Sequence, residues 1–243
     1  MISIEAHQLR KKLGKNQALA GVSLQFGHGL IHGVIGPEGA GKTTLFRHLM
    51  GLLRPDSGEI IYRENEAVVS QAAIRPRIAY MPQQQSLYAD LSIEEHLEFF
   101  RDLYGLSQEE FESKKHRLLE VTRLGEFLDR PAGKLSGGMY KKLGLMCALL
   151  ASPEALLLDE PTNGVDPISR REFWELLYSL SGQGILILIA TAYMDEAERC
   201  SRVHLIESGH VIGSGEPKEL LETENVRSFD EYFMRLAKEK PHG

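Results

Sequence analysis

The sequence has 243 residues, of which 42% are hydrophobic and 26% are charged, as in an ordinary globular protein. The net charge of −6 argues against a general nucleic-acid binder, so no specific nucleic-acid partner is expected. The longest apolar run, residues 185–190, is too short to span a membrane, and the first residues show no signal-peptide pattern; we therefore expect a cytoplasmic chain. Cys147 and Cys200 lack metal or disulfide spacing and are expected to be buried thiols.

The first quarter of the chain predicts three strands and a helix. We expect an edge strand at residues 2–8, a basic turn at 9–17 and a second strand at 22–26. A buried strand at 30–35 and a helix at 42–50 then flank a glycine-rich loop.

This loop, residues 36–43, fits the phosphate-binding pattern G-x-x-x-x-G-K-[ST]. Its glycines let backbone N–H groups point inward around an anion, and the following helix directs its N-terminus at the same place. Lys42 is expected to reach the β- and γ-phosphates of a nucleotide, and the Thr43 hydroxyl to bind Mg²⁺. The predicted nucleotide contacts are Gly36, Pro37, Glu38, Gly39, Ala40, Gly41, Lys42, Thr43 and Thr44.

The middle of the chain is different in character. A strand starts at 59–62, residues 63–76 show no clear pattern, and 78–83 predicts a short strand that runs into a loop. Amphipathic helices follow at 91–104, with Ser92 and Glu95 as a capping box, at 107–124 and at 137–150. Because no strand separates these helices, we predict a helical subdomain inserted into an α/β core.

The last third alternates again between strands and helices. The predicted elements are a strand at 155–159, a helix at 168–180 with Trp174 in the core, a strand at 185–190, a short helix at 194–199, a hairpin over 203–212 and a last amphipathic helix at 229–236. This alternation predicts a parallel sheet with the phosphates at its carboxyl edge.

Two adjacent acids end the strand at 155–159. A nucleotide-bound Mg²⁺ needs an oxygen ligand opposite the phosphate loop, and Asp159 has the expected position. Glu160 follows directly, where it is expected to act as the general base for an attacking water.

The segment Leu135-Ser-Gly-Gly-Met139 precedes the helix at 137–150, and here the chain resembles the ATP-binding cassette (ABC) family of transport ATPases. The resemblance implies that Ser136, Gly137 and Gly138 contact the γ-phosphate of ATP bound by a second, facing cassette. It also implies a Q-loop role for Gln83, which helps to bind Mg²⁺ and the attacking water, and a position for Asp166 at the dimer seam. Lys42, Gln83 and Glu160 would carry catalysis, and Thr43, Gln83 and Asp159 would hold Mg²⁺.

The fold implied by the resemblance is an α/β P-loop NTPase core with a mixed sheet, an antiparallel β subdomain and an inserted α-helical subdomain. We interpret residues 1–243 as a single nucleotide-binding domain, with its ATP-binding core at 1–83 and 151–220, the helical subdomain at 84–150 and a tail at 221–243.

Two short segments indicate a subgroup within the ABC family. Ser136, Gly137 and Gly138 resemble the family's signature motif. The Met139 that follows them and the segment 192–198 resemble ABC-2-type exporters, closest to the N-terminal cassette of tandem exporter ATPases. This implies an ATPase that is peripheral on the inner face of the membrane and works with a membrane permease subunit. A second cassette, in a homodimer or a heterodimer, would complete the ATP sites. The permease is expected to dock near residues 83–88 and Leu91, and Phe99 and Phe100 are expected in the subdomain core.

The sequence departs from the family pattern at two positions. The histidine that normally contacts the γ-phosphate is replaced by Ala192, which has no side-chain donor. The aromatic residue that normally stacks on adenine is replaced by Leu13, and neighbouring Tyr193 is not expected to substitute for it. We therefore expect firm MgATP binding and slow or partner-dependent hydrolysis. Two alternatives stay open: a non-transport cassette acting on ribosomes, and a regulatory subunit that binds ATP without turnover.

Overall fold

A computed structural model describes residues 1–239 of the chain, with side chains described to residue 236. The strands are β1 Ile2–Leu13, β2 Asn16–Phe26, β3 Ile31–Ile35, β4 Ser57–Glu64, β5 Ala67–Val69, β6 Ile78–Met81, β7 Ala155–Asp159, β8 Leu186–Thr191, β9 Arg202–Glu207 and β10 His210–Gly215. The α-helices are α1 Lys42–Leu49, α2 Gln71–Ile74, α3 Ile93–Tyr104, α4 Gln108–Thr122, α5 Gly137–Leu150, α6 Pro167–Gly182, α7 Pro217–Glu224 and α8 Phe229–Glu239. Short 3₁₀ helices lie at Arg75–Arg77, Gly125–Phe127, Ala132–Lys134 and Met194–Arg199.

The larger sheet has six strands in the order β10-β9-β3-β8-β7-β6, and all neighbours are parallel except β9 and β10. Every residue of β3, β7 and β8 is buried, because α1 packs on one face and α5 and α6 pack on the other. The strand register pairs Ile35 with Thr191 and Ala190 with Asp159. The carboxyl ends of the three strands therefore meet at one edge, which confirms the predicted parallel arrangement.

The smaller sheet is antiparallel, with the strand order β2-β1-β4-β5. Two predictions are wrong here. Strand β1 is not an edge strand, because β2 and β4 pair with its two sides. The basic segment at 9–17 is a turn only at residues 14–15: before it β1 continues to Leu13 and pairs with β2, while Leu9 is buried and Arg10 and Lys12 are exposed. Charged side chains on the exposed face of a half-buried strand had the pattern of a loop.

Further elements lie where the sequence showed no regular pattern. Residues 63–76 contain the end of β4, strand β5 and helix α2, whose N-terminus is capped by the Ser70 hydroxyl. Helix α7 begins with Pro217 at its first turn, the position where a missing N–H costs least.

Helices α3, α4 and α5 enclose a core of their own, which contains Ile93, Phe111, Leu118, Leu143 and Met146. The predicted capping box of Ser92 and Glu95 is confirmed, and Ser107 forms a second one with Glu110 at the start of α4. Helix α5 also presents Leu145 and Ala148 to the core of the larger sheet. Because α5 packs on both cores, its N-terminus has a fixed position relative to the sheet.

Several single-residue predictions are settled by burial. Trp174 is buried, and Cys147 and Cys200 are buried and free. Phe100 packs against the helical core, whereas Phe99 is 39% exposed, so its predicted core position is wrong.

Among residues 1–239, no helix is long and apolar enough to cross a membrane.

The predicted terminal helix is present as α8, and it packs on the core of the larger sheet. Its Phe229 and Tyr232 are buried there. This apolar contact holds the start of the tail segment against the domain.

Candidate nucleotide-binding site

The phosphate loop connects β3 to α1, and its glycines are required by the backbone. Gly39 and Gly41 have φ angles of 76° and 107°, which disfavour other residues. A Cβ atom on Gly36 would lie 1.9 Å from the carbonyl oxygen of Ile206, and one on Gly41 would lie 2.3 Å from that of Ala18. Within the described residues no side chain caps the N-terminus of α1, so the first-turn N–H groups are available to an anion.

Lys42 joins the loop to the acidic strand end. Its ammonium donates to the carbonyl oxygens of Gly36 at 2.7 Å and Pro37 at 3.1 Å, and it lies 3.3 Å from Glu160 Oε1. Both charged side chains are buried. The ion pair therefore holds the general-base candidate next to the phosphate loop.

Asp159 ends β7 and is fully buried. The Tyr80 hydroxyl donates to Oδ2 at 3.1 Å, whereas Oδ1 has no hydrogen-bond partner in the described part of the chain. A buried carboxylate oxygen without a partner is costly unless a cation binds it, and oxygen is the ligand that Mg²⁺ prefers. The donor set at this strand end therefore fits Mg²⁺.

Tyr80 was not singled out from the sequence. Burial and the neighbouring Asp159 raise the pKa of its hydroxyl, so it stays protonated at neutral pH and keeps donating. A tyrosine in an otherwise apolar strand, one strand away from the acid, was the available signal.

Glu160 adopts a left-handed φ of 49°, and its N–H donates to the carbonyl oxygen of Ala190 at 2.8 Å. Its Oε2 accepts a long hydrogen bond, 3.4 Å, from the backbone N–H of Ala192. Burial raises the pKa of the Glu160 carboxyl, and the positive charge of Lys42 opposes that shift. A raised pKa suits a general base because it increases the affinity for the proton that is removed.

Lys141 is a second residue that sequence reasoning missed. It lies on α5 beyond the signature glycines, and its ammonium donates to the carbonyl oxygen of Glu160 at 3.1 Å. Burial lowers the pKa of Lys141, and the charges of Glu160 and Asp159 oppose that shift. The contact joins the signature helix to the strand end that carries the acids, and only tertiary packing reveals it.

One cleft brings together most of the predicted site residues. It is lined by Leu13, Asn16, Gln17 and Ala18 from the β1–β2 hairpin, by residues 38–44, by Gln83 and by Glu160. Leu13 is 45% exposed, so an apolar face is presented at the predicted adenine position. Leu13 and Gln83, which are 70 positions apart, therefore flank the same phosphate loop.

The signature residues 136–138 and the segment 161–166, which resembles the family's D-loop, lie apart from this cleft. Ser136 caps α5 by accepting from the N–H of Met139 at 3.3 Å, and Asp166 caps α6 by accepting from those of Ile168 and Ser169. A hydrogen bond from the Ser169 side chain, together with those from the backbone N–H groups of Ser169 and Ile168, lowers the pKa of Asp166. A Cβ atom on Gly137 would lie 2.7 Å from the carbonyl oxygen of Gly164, so the two segments pack directly. Ser136, Gly137, Gly138 and Asp166 are not among the residues that line the phosphate-loop cleft.

Comparison with known proteins identifies the family. The ABC transporter family matches residues 19–163. The chain is 49% identical over 201 residues to "Probable multidrug ABC transporter ATP-binding protein YbhF" of Escherichia coli K12, which covers 83% of this chain and 35% of that protein. It is 40% identical over 223 residues to "Nod factor export ATP-binding protein I" of Burkholderia lata, covering 91% of this chain and 73% of that protein.

A solved structure titled "Structure of ATP binding subunit of ABC transporter" has the same fold, with a TM-score of 0.83 at 30% identity over 96% of this chain and 99% of the other. The chain spans about a third of the length of the first of these relatives, 35%. The family match, the relatives and the shared fold agree with the geometry of the phosphate loop and the acidic strand end. The chain therefore belongs to the ABC transporter family, as an ATP-binding domain.

Proposed function

We propose that this chain is the ATP-binding subunit of an ABC-2-type export system, in which ATP binding and hydrolysis drive transport through a membrane permease subunit. The relatives with multidrug and Nod factor export in their names support the exporter branch. The observation that carries the ATPase assignment is the cluster of Lys42, Asp159 and Glu160 at the phosphate loop.

The chain's own residues supply the parts of a phosphoryl-transfer site. The loop N–H groups and Lys42 bind the β- and γ-phosphates, and Leu13 packs on the adenine. Thr43, Gln83 and Asp159 would hold Mg²⁺, which would supply positive charge beside the phosphate oxygens. Glu160 accepts the proton of the attacking water, and its raised pKa favours that transfer.

Hydrolysis at this site is slow. The side chain of Ala192 offers no donor to the γ-phosphate. The hydrogen bond from this residue to Glu160 comes from the backbone N–H, at 3.4 Å. Loss of one donor in a pre-organised site costs about 2.7–4 kcal/mol of transition-state stabilisation. MgATP binding does not depend on that donor, because the loop and Lys42 provide it.

A second cassette completes the site, as a homodimer or a heterodimer partner. Ser136, Gly137 and Gly138 stand at the N-terminus of α5 on a surface separate from the cleft, so they serve the nucleotide of the facing cassette. In return, the partner's signature covers the phosphate loop of this chain.

The permease docks on the groove between the helical subdomain and the larger sheet. This groove is lined by residues 78–82 and 86–87 and by Phe100, Tyr104 and Gly144, and Tyr88 and Phe99 are exposed nearby. An exposed apolar surface beside such a groove suits a helical segment of a membrane protein. The chain is thereby held at the inner face of the membrane, without a nucleic-acid partner.

The experiment is affinity purification of the chain from its own organism after mild detergent extraction. We expect an integral membrane permease to co-purify, and the double substitution Phe99→Asp with Tyr88→Asp to abolish its recovery. The matched control is Val68→Asp, an exposed apolar residue on the smaller sheet, which should leave recovery unchanged. Recovery of ribosomes in place of a permease would contradict the proposal.

A further inference from the structure

Glu196 is a buried carboxylate that the ATP chemistry above does not use. It lies in the 3₁₀ helix Met194–Arg199, directly after β8, and its side chain is 0% exposed. The Arg170 guanidinium is its charge partner, 2.9 Å from Oε1. A fully buried acid needs such partners, because isolated burial of its charge is prohibitive.

One oxygen of Glu196 collects three donors. Oε1 accepts from the Thr162 hydroxyl at 2.6 Å, Arg170 Nε at 2.9 Å and Trp174 Nε1 at 3.1 Å. Oε2 is buried and has no hydrogen-bond partner within the described residues. A carboxylate with one crowded oxygen and one unpartnered oxygen is a poor choice for stability alone. The arrangement indicates that the role of Glu196 is to hold the three donor groups in place.

The donors belong to two segments that flank the acidic strand end. Thr162 is two residues after Glu160, in the D-loop segment 161–166, and Arg170 and Trp174 are on α6, which starts at the end of that segment. Glu196 itself is four residues after Ala192, in the segment 191–196.

Resting on the proposed ATPase function, we propose that Glu196 is a positioning residue: it locks the segments 161–166 and 191–196 together and thereby fixes the Glu160 carboxylate against the N–H of Ala192.

A second link runs through Arg170. Its guanidinium lies over the ring of Tyr193, 4.7 Å from the centroid, and the Tyr193 hydroxyl donates to Asn163 Oδ1 at 3.3 Å. Glu196 orients the guanidinium, so it also supports this bridge between the same two segments.

This positioning matters more here because of Ala192. A histidine side chain can adjust its torsions to reach a partner, whereas a backbone N–H moves only with its segment. The contact from the N–H of Ala192 to Glu160 is already long at 3.4 Å, outside the usual range of about 2.7–3.2 Å for N–H···O hydrogen bonds. A small shift of segment 191–196 therefore releases the carboxylate.

The test compares Glu196→Gln with Asp195→Asn. Glutamine keeps the size and an acceptor oxygen but loses the charge that binds Arg170. Asp195 also binds Arg170, at 3.0 Å, but it is exposed, so its substitution is the matched control. We expect Glu196→Gln to lower kcat for ATP about tenfold while the Kd for MgATP changes less than about twofold. Asp195→Asn should change neither quantity by more than about twofold.

Hydrogen–deuterium exchange without nucleotide gives a readout independent of turnover. Glu196→Gln should speed exchange in peptides covering 160–166 and 191–196 and leave the phosphate loop, 36–43, unchanged. Thr162→Val removes one donor without removing the buried charge, so it should act in the same direction and decides the matter if Glu196→Gln fails to fold.

Unchanged exchange in both segments for these two variants would overturn the proposal. So would a loss of kcat with a proportional loss of MgATP affinity and faster exchange throughout the chain, because that pattern describes general destabilisation. If the unaltered chain fails to bind MgATP, the proposed function fails, and the exchange data still decide the role of Glu196.

Discussion

Glu160 is buried, contacts the charge of Lys42 and has a left-handed backbone conformation. Its carboxyl pKa is raised by burial, and its two oxygens contact Lys42 and the N–H of Ala192. Because position 192 is alanine, no histidine at that position contributes to the pH dependence of the ATPase rate. We therefore assign the fall of the rate at low pH to protonation of the Glu160 carboxylate.

We predict that ATP turnover falls on acidification with a midpoint above about 4.3, the ordinary pKa of glutamate. The sign follows from the raised pKa: Glu160 is protonated, and lost as a base, at a higher pH than an exposed glutamate. The measurement is kcat between about pH 4 and about pH 8, a range that extends below the ordinary pKa of glutamate. Glu160→Gln is the control and should abolish turnover while keeping MgATP affinity within about twofold. A midpoint at or below that of ordinary glutamate contradicts the assignment.

The sequence located these acids and the loop because their chemistry is local: a buried strand ends, and the functional residues follow at once. Tyr80 and Lys141 could not be found in this way, since each reaches the acids from another element through the strand register or helix packing. The left-handed φ of Glu160 carries no sequence signal either.

At the scale of elements, α5 connects the signature to both cores. Its first turn is pressed against the segment 161–166 and α6: a Cβ atom on Gly138 would lie 2.5 Å from Cβ of Ser169. Both Cβ atoms are attached directly to the backbone and cannot rotate away. Helices α5 and α6 must therefore separate to accept a methyl group at position 138.

Gly138→Ala should therefore lower the free energy of unfolding by about 1–3 kcal/mol, the usual cost of overpacking. It should also reduce ATPase stimulation of a partner cassette, because the signature is displaced. Gly182→Ala is the control: it lies at the end of α6, a methyl group there would meet no atom within 4 Å, and stability should change by less than about 1 kcal/mol. Chemical denaturation of both variants measures the difference. Equal stability of the two variants would mean that α5 and α6 are not closely packed here.

Elements were predicted well where burial is uniform and poorly where it is one-sided. Strands β3, β7 and β8 are buried on both faces, and their apolar runs marked them clearly. In the β1–β2 hairpin, buried Leu9 is followed by exposed Arg10 and Lys12, and this basic run had the appearance of a turn. Phe99 was placed in a core because its helix needed an apolar face, but the groove beside it leaves that face uncovered.

At the scale of the whole molecule, a buried pair of histidines joins the two sheets. His32 on β3 and His204 on β9 lie 3.2 Å apart between ring nitrogens, stack in parallel and contact Phe26 of β2 edge-on. Burial lowers the pKa of His32 to about 4 and that of His204 to about 3. Both rings are therefore neutral in the folded chain at pH values where the unfolded chain is protonated.

The sign of the consequence is fixed by these shifts. Stability is at its full value above about pH 6.5, the unfolded pKa, and falls as pH decreases toward the folded values, because the unfolded state binds more protons. At pH 5 the loss is roughly 2 kcal/mol for each histidine. Urea denaturation at pH 7 and pH 5 measures it.

His32→Gln combined with His204→Gln should reduce that pH dependence, whereas His210→Gln, at an exposed position, should keep it. Comparing each variant with itself at the two pH values removes any general loss of stability. The same pH dependence in all three proteins would contradict the role of the pair.

The central claim is that this cassette binds MgATP firmly but hydrolyses it slowly, because Ala192 gives the γ-phosphate no side-chain donor. The direct test measures MgATP affinity and steady-state ATPase rate for the unaltered chain, Ala192→His and Ala192→Leu, the last as a control for bulk. We expect similar affinities, slow turnover of the unaltered chain and of Ala192→Leu, and a rise of about a hundredfold or more in Ala192→His. Robust turnover of the unaltered chain, unaffected by the histidine, would contradict the account.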